Sequence, residues 1–190
     1  MITLVAGLLL FIGAHLVTRA RDGRARLIAR FGEPGYKIGY SVVSALALAL
    51  MIYGYGHAPY VAVWTPPAWT RHIPAALMLP AFILLVSAYV PGRIRAAAKH
   101  PMLAALKLWA FAHLAANGDL ASILLFGGLL AYGVIARILI KRRERAEGRA
   151  PVAPGDARND IVAVAIGVVL YGVFGAFLHP LLIGVPAFGS

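Results

Sequence analysis

Three histidines, His15, His100 and His113, are the residues best equipped to do chemistry in this chain. The sequence holds six histidines and no cysteine. Disulfides, thiolate metal sites, iron–sulfur clusters and covalent haem attachment are thereby excluded, and imidazole is left as the strong candidate ligand for a transition metal or a haem iron. His57, His72 and His179 fall near the ends of apolar runs, where hydrogen bonding at an interface is the ordinary role. His15, in FIGAHLV, and His113, in LWAFAHLAANG, are set among aliphatic and aromatic neighbours. At about 100° per residue, Trp109, His113 and Asn117 stand at i, i+4 and i+8 on one helical face. His100 and Lys107, seven residues apart, share a different face. Two readings are open for His15 and His113: a hydrogen bond to a nearby carbonyl or hydroxyl in a helix–helix contact, or ligation of a shared metal.

The elements that must position these residues are membrane helices. Of the 190 residues, 61% are hydrophobic and 13% charged, with a mean hydropathy of +0.81; a soluble domain is about 45–50% apolar and about 25% charged. The composition predicts an all-α fold, a polytopic membrane helix bundle of about six transmembrane helices in a single integral-membrane domain over residues 1–190. A helix needs roughly 20 apolar residues to cross a bilayer, and candidate spans lie at about 2–18, 38–56, 72–91, 102–117, 119–139 and 160–180. The first starts at Met1 without a basic leader or a small-x-small cleavage site, and is expected to be a retained span. His100-Pro101 marks a helix start. Asn117-Gly118-Asp119 reads as a tight turn that makes spans four and five a hairpin, with Gly118 free to take positive φ and Asp119 placed to cap span five. A proton-carrying Asp119 is the alternative.

Charge placement supplies an orientation. Arg19, Arg21, Arg24, Arg26, Arg30 and Lys37 follow span one; Arg93, Arg95 and Lys99 precede span four; Arg137, Lys141, Arg142, Arg143, Arg145, Arg149 and Arg158 surround the loop after span five. Only Arg71 lies on the opposite side, and Lys107 falls within span four. The positive-inside rule then places both termini on the outer side of a bacterial inner membrane. Topology and anionic headgroups account for these charges, so nucleic acid is not an expected partner. Lys107 either snorkels to the cytoplasmic interface or neutralises a carboxylate. Residues 147–160, EGRAPVAPGDARND, read as a mobile cytoplasmic linker. Tyr60, Trp64 and Trp69 suit an aromatic belt at the outer interface.

GAHL near the start, RFGEPGYKIGYSVVSALAL at 30–48, and HPM followed by LWAFAHLAANGDLASILLFGG within 100–128 together resemble the NnrU family, over essentially the whole chain. That family is similar in turn to the zeta-carotene cis–trans isomerases, which are longer at the amino terminus. The resemblance implies a non-covalent haem b held between histidines, and an association with nitrite and nitric oxide respiration. Carried over by motif, it implies His15 and His113 as axial ligands, with His100 of the HP pair as rival. Trp109, Asn117 and Lys107 are the expected pocket neighbours, with a propionate as the carboxylate Lys107 would meet if it does not snorkel. Depth bears on the pair: His113 lies thirteen residues beyond His100, up to about 20 Å along an α-helix at 1.5 Å per residue, so unless span four enters obliquely or its membrane part starts late, His15 and His100 are the better geometric pair.

Two functional classes follow. One is a haem b membrane protein with redox, isomerase-like or nitric oxide-sensing activity. The other is a non-enzymatic accessory or assembly factor for a respiratory reductase, or a homo-oligomer, with structural histidines. Its packing faces would include Gly127, Gly128, Gly167, Gly172 and Gly175. A small transporter is a weaker form of the second, because no interrupted pair of spans occurs in related halves. A methyltransferase of the isoprenylcysteine type shares the HP pair and the helix hairpin, but KRRERAEGRA lacks an acidic cofactor-binding signature.

Overall fold

The computed structural model describes residues 1–150 and 152–188, so Pro151 of the expected linker lies outside the described residues. The described residues are helical apart from loops and one isolated bridge. They divide into two compact units, residues 1–64 with 118–132, and residues 65–117 with 133–190.

In the first unit, α1 (Ile2–Val17) packs along α2 (Arg21–Gly56). In lipid, burying Leu gains little from leaving water, so helices associate through close packing and small residues. Gly54 lies against the backbone of Leu4, and Gly7 against the backbone of Met51 and Ala47, so the helices run antiparallel at near-contact distance. Leu4 and Ala47 are completely buried there. α2 is broken at Gly32, whose φ of 70° and ψ of 166° are essentially confined to glycine. Pro34 reinforces the break, because it has no N–H to donate to the Arg30 carbonyl one turn earlier. Residues 21–31 are therefore a separate basic helical segment, between the first two expected spans. The extended stretch Val61–Trp64 bonds to residues 118–120: Val63 and Trp64 N–H donate to the Gly118 carbonyl, and Leu120 N–H to that of Val61. Gly118 does not take the positive φ expected of it, and Asn117 is extended at φ −125° and ψ 130°. The Asp119 cap is present: its Oδ1 accepts from Ser122 N–H at 2.9 Å, at the start of α6 (Leu120–Ala146).

In the second unit, α3 (His72–Ser87), preceded by a 3-10 turn at Ala68–Arg71, packs on α5 (Pro101–Ala116) and α7 (Ala157–Val173). A short helix, α4 (Arg93–Ala98), links α3 to α5 and was not expected. The far end of the 147–160 segment is tied down. Asp156 caps α7 by accepting from Arg158 N–H, Asn159 donates to the Pro91 carbonyl, and Asp160 accepts from Ile94 N–H. After α7 the helix widens into a π-turn at Phe174–Leu178 and continues into α8 (His179–Ile183).

Among the described residues, four helical stretches are long and apolar enough to cross a membrane: Arg21–Gly56, Ala68–Ser87, Leu120–Ala146 and Ala157–Ile183. α1 and α5, sixteen residues each, are shorter apolar helices. Exposed Ile161, Val164, Val168 and Val169 on α7 suit lipid, in which only a backbone with its hydrogen bonds closed internally is tolerated.

Candidate functional site

His15 occupies the last turn of α1, and its imidazole is enclosed by rings. Phe11, one turn earlier, stacks on it at 4.0 Å between centroids. Tyr40 of α2 and buried Tyr132 of α6 meet it edge-on at 5.5 and 5.8 Å. Its Nδ1 lies 2.8 Å from the Phe11 carbonyl oxygen. A carbonyl only accepts, so Nδ1 carries the proton, and in the neutral ring Nε2 is left with a lone pair. That tautomer is the one found in metal-ligating imidazoles backed by a carbonyl.

Arg19, one turn beyond His15, was counted in the sequence only as a topology charge. Its guanidinium lies over the Tyr132 ring at 5.9 Å from the centroid, and Nη2 donates to the Tyr132 hydroxyl at 3.3 Å. Its Nε is buried with no acceptor, and so is the Oγ of Ser44, one turn along α2 from Tyr40. The useful signals were the spacings His15/Arg19 and Tyr40/Ser44, each four residues and so one helical face. Tyr132 carries no local signal that would have joined it to them.

The remaining candidates lie in the second unit. His113, half-buried on α5, has its Nδ1 2.8 Å from the Trp109 carbonyl oxygen, so it shares the tautomer of His15. The Trp109 ring tilts against it at 5.3 Å, and Asn117 Nδ2 donates to the His113 carbonyl at 2.7 Å. The face expected from the spacing is therefore realised, but Asn117 addresses the backbone and not the imidazole. The same Nδ1-to-carbonyl bond occurs at His57 and His179, so it permits ligation without selecting a ligand.

His100 is held the other way round. Its Nε2 donates to Glu144 Oε1 at 2.9 Å, and Arg137 reaches the other oxygen of Glu144 at 3.4 Å. This cluster, legible in the sequence only as scattered charges, commits the ring nitrogen that His15 leaves with its lone pair. Before it, the His100 N–H bonds to the Ala98 carbonyl across Lys99, whose φ is 60° and ψ −49°. This is the positive-φ γ-turn, a rare and strained geometry. The apolar part of α6 ends before Lys141, so Glu144 stands beyond it among charges. The His100 hydrogen bond, with His100 and Arg137 nearby, holds its carboxyl below the usual carboxylate range. The Lys107 stem lies over Gly133, which suits a snorkelling lysine.

Among the described residues, no group of three or more His, Asp or Glu side chains is gathered to hold a bare metal ion. A porphyrin, which brings four donors of its own, asks the chain for one or two imidazoles. Compared with known proteins, residues 3–187 match a family model described as NnrU protein, a match that spans both units. No curated protein and no solved structure matches the chain.

Proposed function

The chain belongs to the NnrU family, and from that premise we propose that it is an integral membrane protein holding a non-covalent haem b, associated with nitrite and nitric oxide metabolism. The observation that carries the proposal is the state of His15: Nδ1–H fixed on a carbonyl, Nε2 bare, and aromatic rings around it. The residues present fit a haem on a second count. The orphaned Arg19 Nε beside this imidazole is a donor in want of an anionic acceptor. We assign ligation to His15 and His113, each on the evidence of its own unit. His100 recedes as a ligand because Glu144 occupies its Nε2.

Haem, when bound by these imidazoles, would supply one-electron redox chemistry and a binding site for a small ligand. The chain's own contribution is to fix each tautomer from Phe11 and Trp109, so that the nitrogen offered is Nε2 in both cases. Trp109 walls His113, and Asn117 ties down the last turn of its helix. Lys107, with its stem on Gly133, is a cation for the cytoplasmic interface.

We read α1 and α5 as membrane-inserted beside the four long apolar helices, giving six spans in a bacterial inner membrane with both termini outside. The contacts of His100 with Glu144 and of Lys107 with Gly133 support an antiparallel pairing of α5 with the end of α6, as a hairpin requires.

The test is an absorption spectrum of the detergent-purified protein, oxidised and dithionite-reduced, with a pyridine haemochrome assay. One haem per chain is expected, lost in His15→Ala and in His113→Ala and retained in His100→Ala. A colourless protein from cells supplied with haem precursor defeats the proposal. A membrane accessory factor for a nitrogen-oxide reductase then leads. It draws support from Gly127 and Gly172, which have open space where a side chain would stand. Gly128, Gly167 and Gly175 are already used within the chain, against Leu8, Ile83 and Phe188.

A further inference from the structure

A guanidinium nitrogen shut away from water without an acceptor is costly, because the stabilisation a charged donor needs is then missing. Arg19 is such a group, and its surroundings show what would satisfy it. Nη2 is spent on the Tyr132 hydroxyl at 3.3 Å, and the Tyr132 face covers the guanidinium plane. The Nε edge is left buried and unpaired. Ser44, also without a partner for its hydroxyl, projects from the α2 face that carries Tyr40. Arg19 and His15 together offer an incoming group a charged N–H donor and an imidazole Nε2 lone pair, both in one unit. Among the described residues, no carboxylate bonds to Arg19.

We propose that Arg19 is the anchor for a carboxylate of the ligand that His15 holds, so that this pocket takes a porphyrin by two points, iron on the imidazole and a propionate on the guanidinium. The inference rests on the haem reading above and adds to it a residue that no motif assigned. Lys107, for which a propionate contact was the alternative to snorkelling, belongs to the other unit, with its stem on Gly133.

The test uses full-length protein purified from haem-deficient cells into phosphatidylcholine nanodiscs. It is titrated with haem b and with its dimethyl ester, in which both carboxylates are masked. Wild type is expected to bind the free acid roughly tenfold or more tighter than the ester, the scale of one hydrogen bond to a charged group. Arg19→Ala loses that preference while binding the ester as wild type does, and Arg19→Lys recovers part of it. Tyr132→Phe, which keeps the ring and removes only the hydroxyl, retains most of the preference and guards against a misfolded alanine variant.

An Arg19→Ala protein that still prefers the free acid tenfold overturns the inference and leaves the haem reading standing. If Arg19→Ala instead alters only the stability of the haem-free protein in phosphatidylglycerol nanodiscs, the guanidinium serves a lipid phosphate and the inference fails. Wild-type protein that binds neither porphyrin defeats both.

Discussion

Two glycines of α2 give opposite predictions within one helix. At Gly54 an added Cβ would collide with the backbone of Leu4 and Thr3, atoms that move only if α1 moves. Ordinary contact requires α1 to retreat by about an ångström, and a gap of that size forfeits a quarter to a half of the attraction between facing atoms. Leu4 is completely buried and Leu8 and Met51 nearly so, so the loss falls on the best-packed part of the unit. Overpacking of this kind costs typically about 1–3 kcal/mol, and rigid backbone on both sides places Gly54→Ala in the upper half of that range. Gly39 sits in the same helix with open space at its Cβ position. Gly39→Ala should therefore stabilise by about 0.5–1 kcal/mol through helix propensity alone. Reversible unfolding in mixed detergent micelles, followed by circular dichroism, measures both. The haem spectrum of Gly54→Ala should weaken as well, since α1 carries His15. Equal signs for the two substitutions, or a Gly54→Ala effect below about 0.5 kcal/mol, would refute the close α1–α2 packing.

Lys99→Gly removes the Cβ from the strained γ-turn. Relief of about 1–3 kcal/mol is offset by about 0.4–1 kcal/mol of added freedom in the unfolded chain, so the variant should unfold at equal or higher denaturant, whereas Lys99→Val should be distinctly weaker. Glu144 has a carboxyl held low in the folded state, chiefly by the His100 hydrogen bond. Its contribution to stability is therefore present above the usual carboxylate value of 4.5 and lost as pH falls through the lower folded value. An acid titration of unfolding should show this loss in wild type and a flatter acid limb in Glu144→Gln; parallel limbs would refute the assignment.

Much of the helical layout was legible because an apolar run has few alternatives in lipid. Each of the six candidate spans falls on a helix, although α2 begins at Arg21, well before residue 38, and α6 runs on to Ala146; the Asp119 cap follows from an acidic residue just ahead of an apolar helix. The helical segment 21–31 was masked by its arginines, which read as topology charges when only hydropathy is weighed. Its Leu27, Ile28 and Phe31 carry the helical spacing that charge obscured. The Lys99 turn had no signal, since lysine has no preference for positive φ. Nor had the pairing of His100 with Glu144, forty-four residues away. The ring enclosure of His15 was half legible. Phe11 and Arg19 lie one turn to either side on its own helix, while Tyr40 and Tyr132 arrive from others.

The break at Gly32 also separates two rotational phases. In an unbroken helix, one inserted residue turns everything beyond it by about 100°. Here the ladder is interrupted, so an insertion or deletion between residues 21 and 31 rotates only the arginine-bearing segment. Tyr40, Ser44, Ala47 and Met51 keep their bearing toward α1. The stretch before Gly32 is thereby free to drift in length and pattern across descendants of this sequence, while the stretch after it is held to a fixed register by the imidazole it faces.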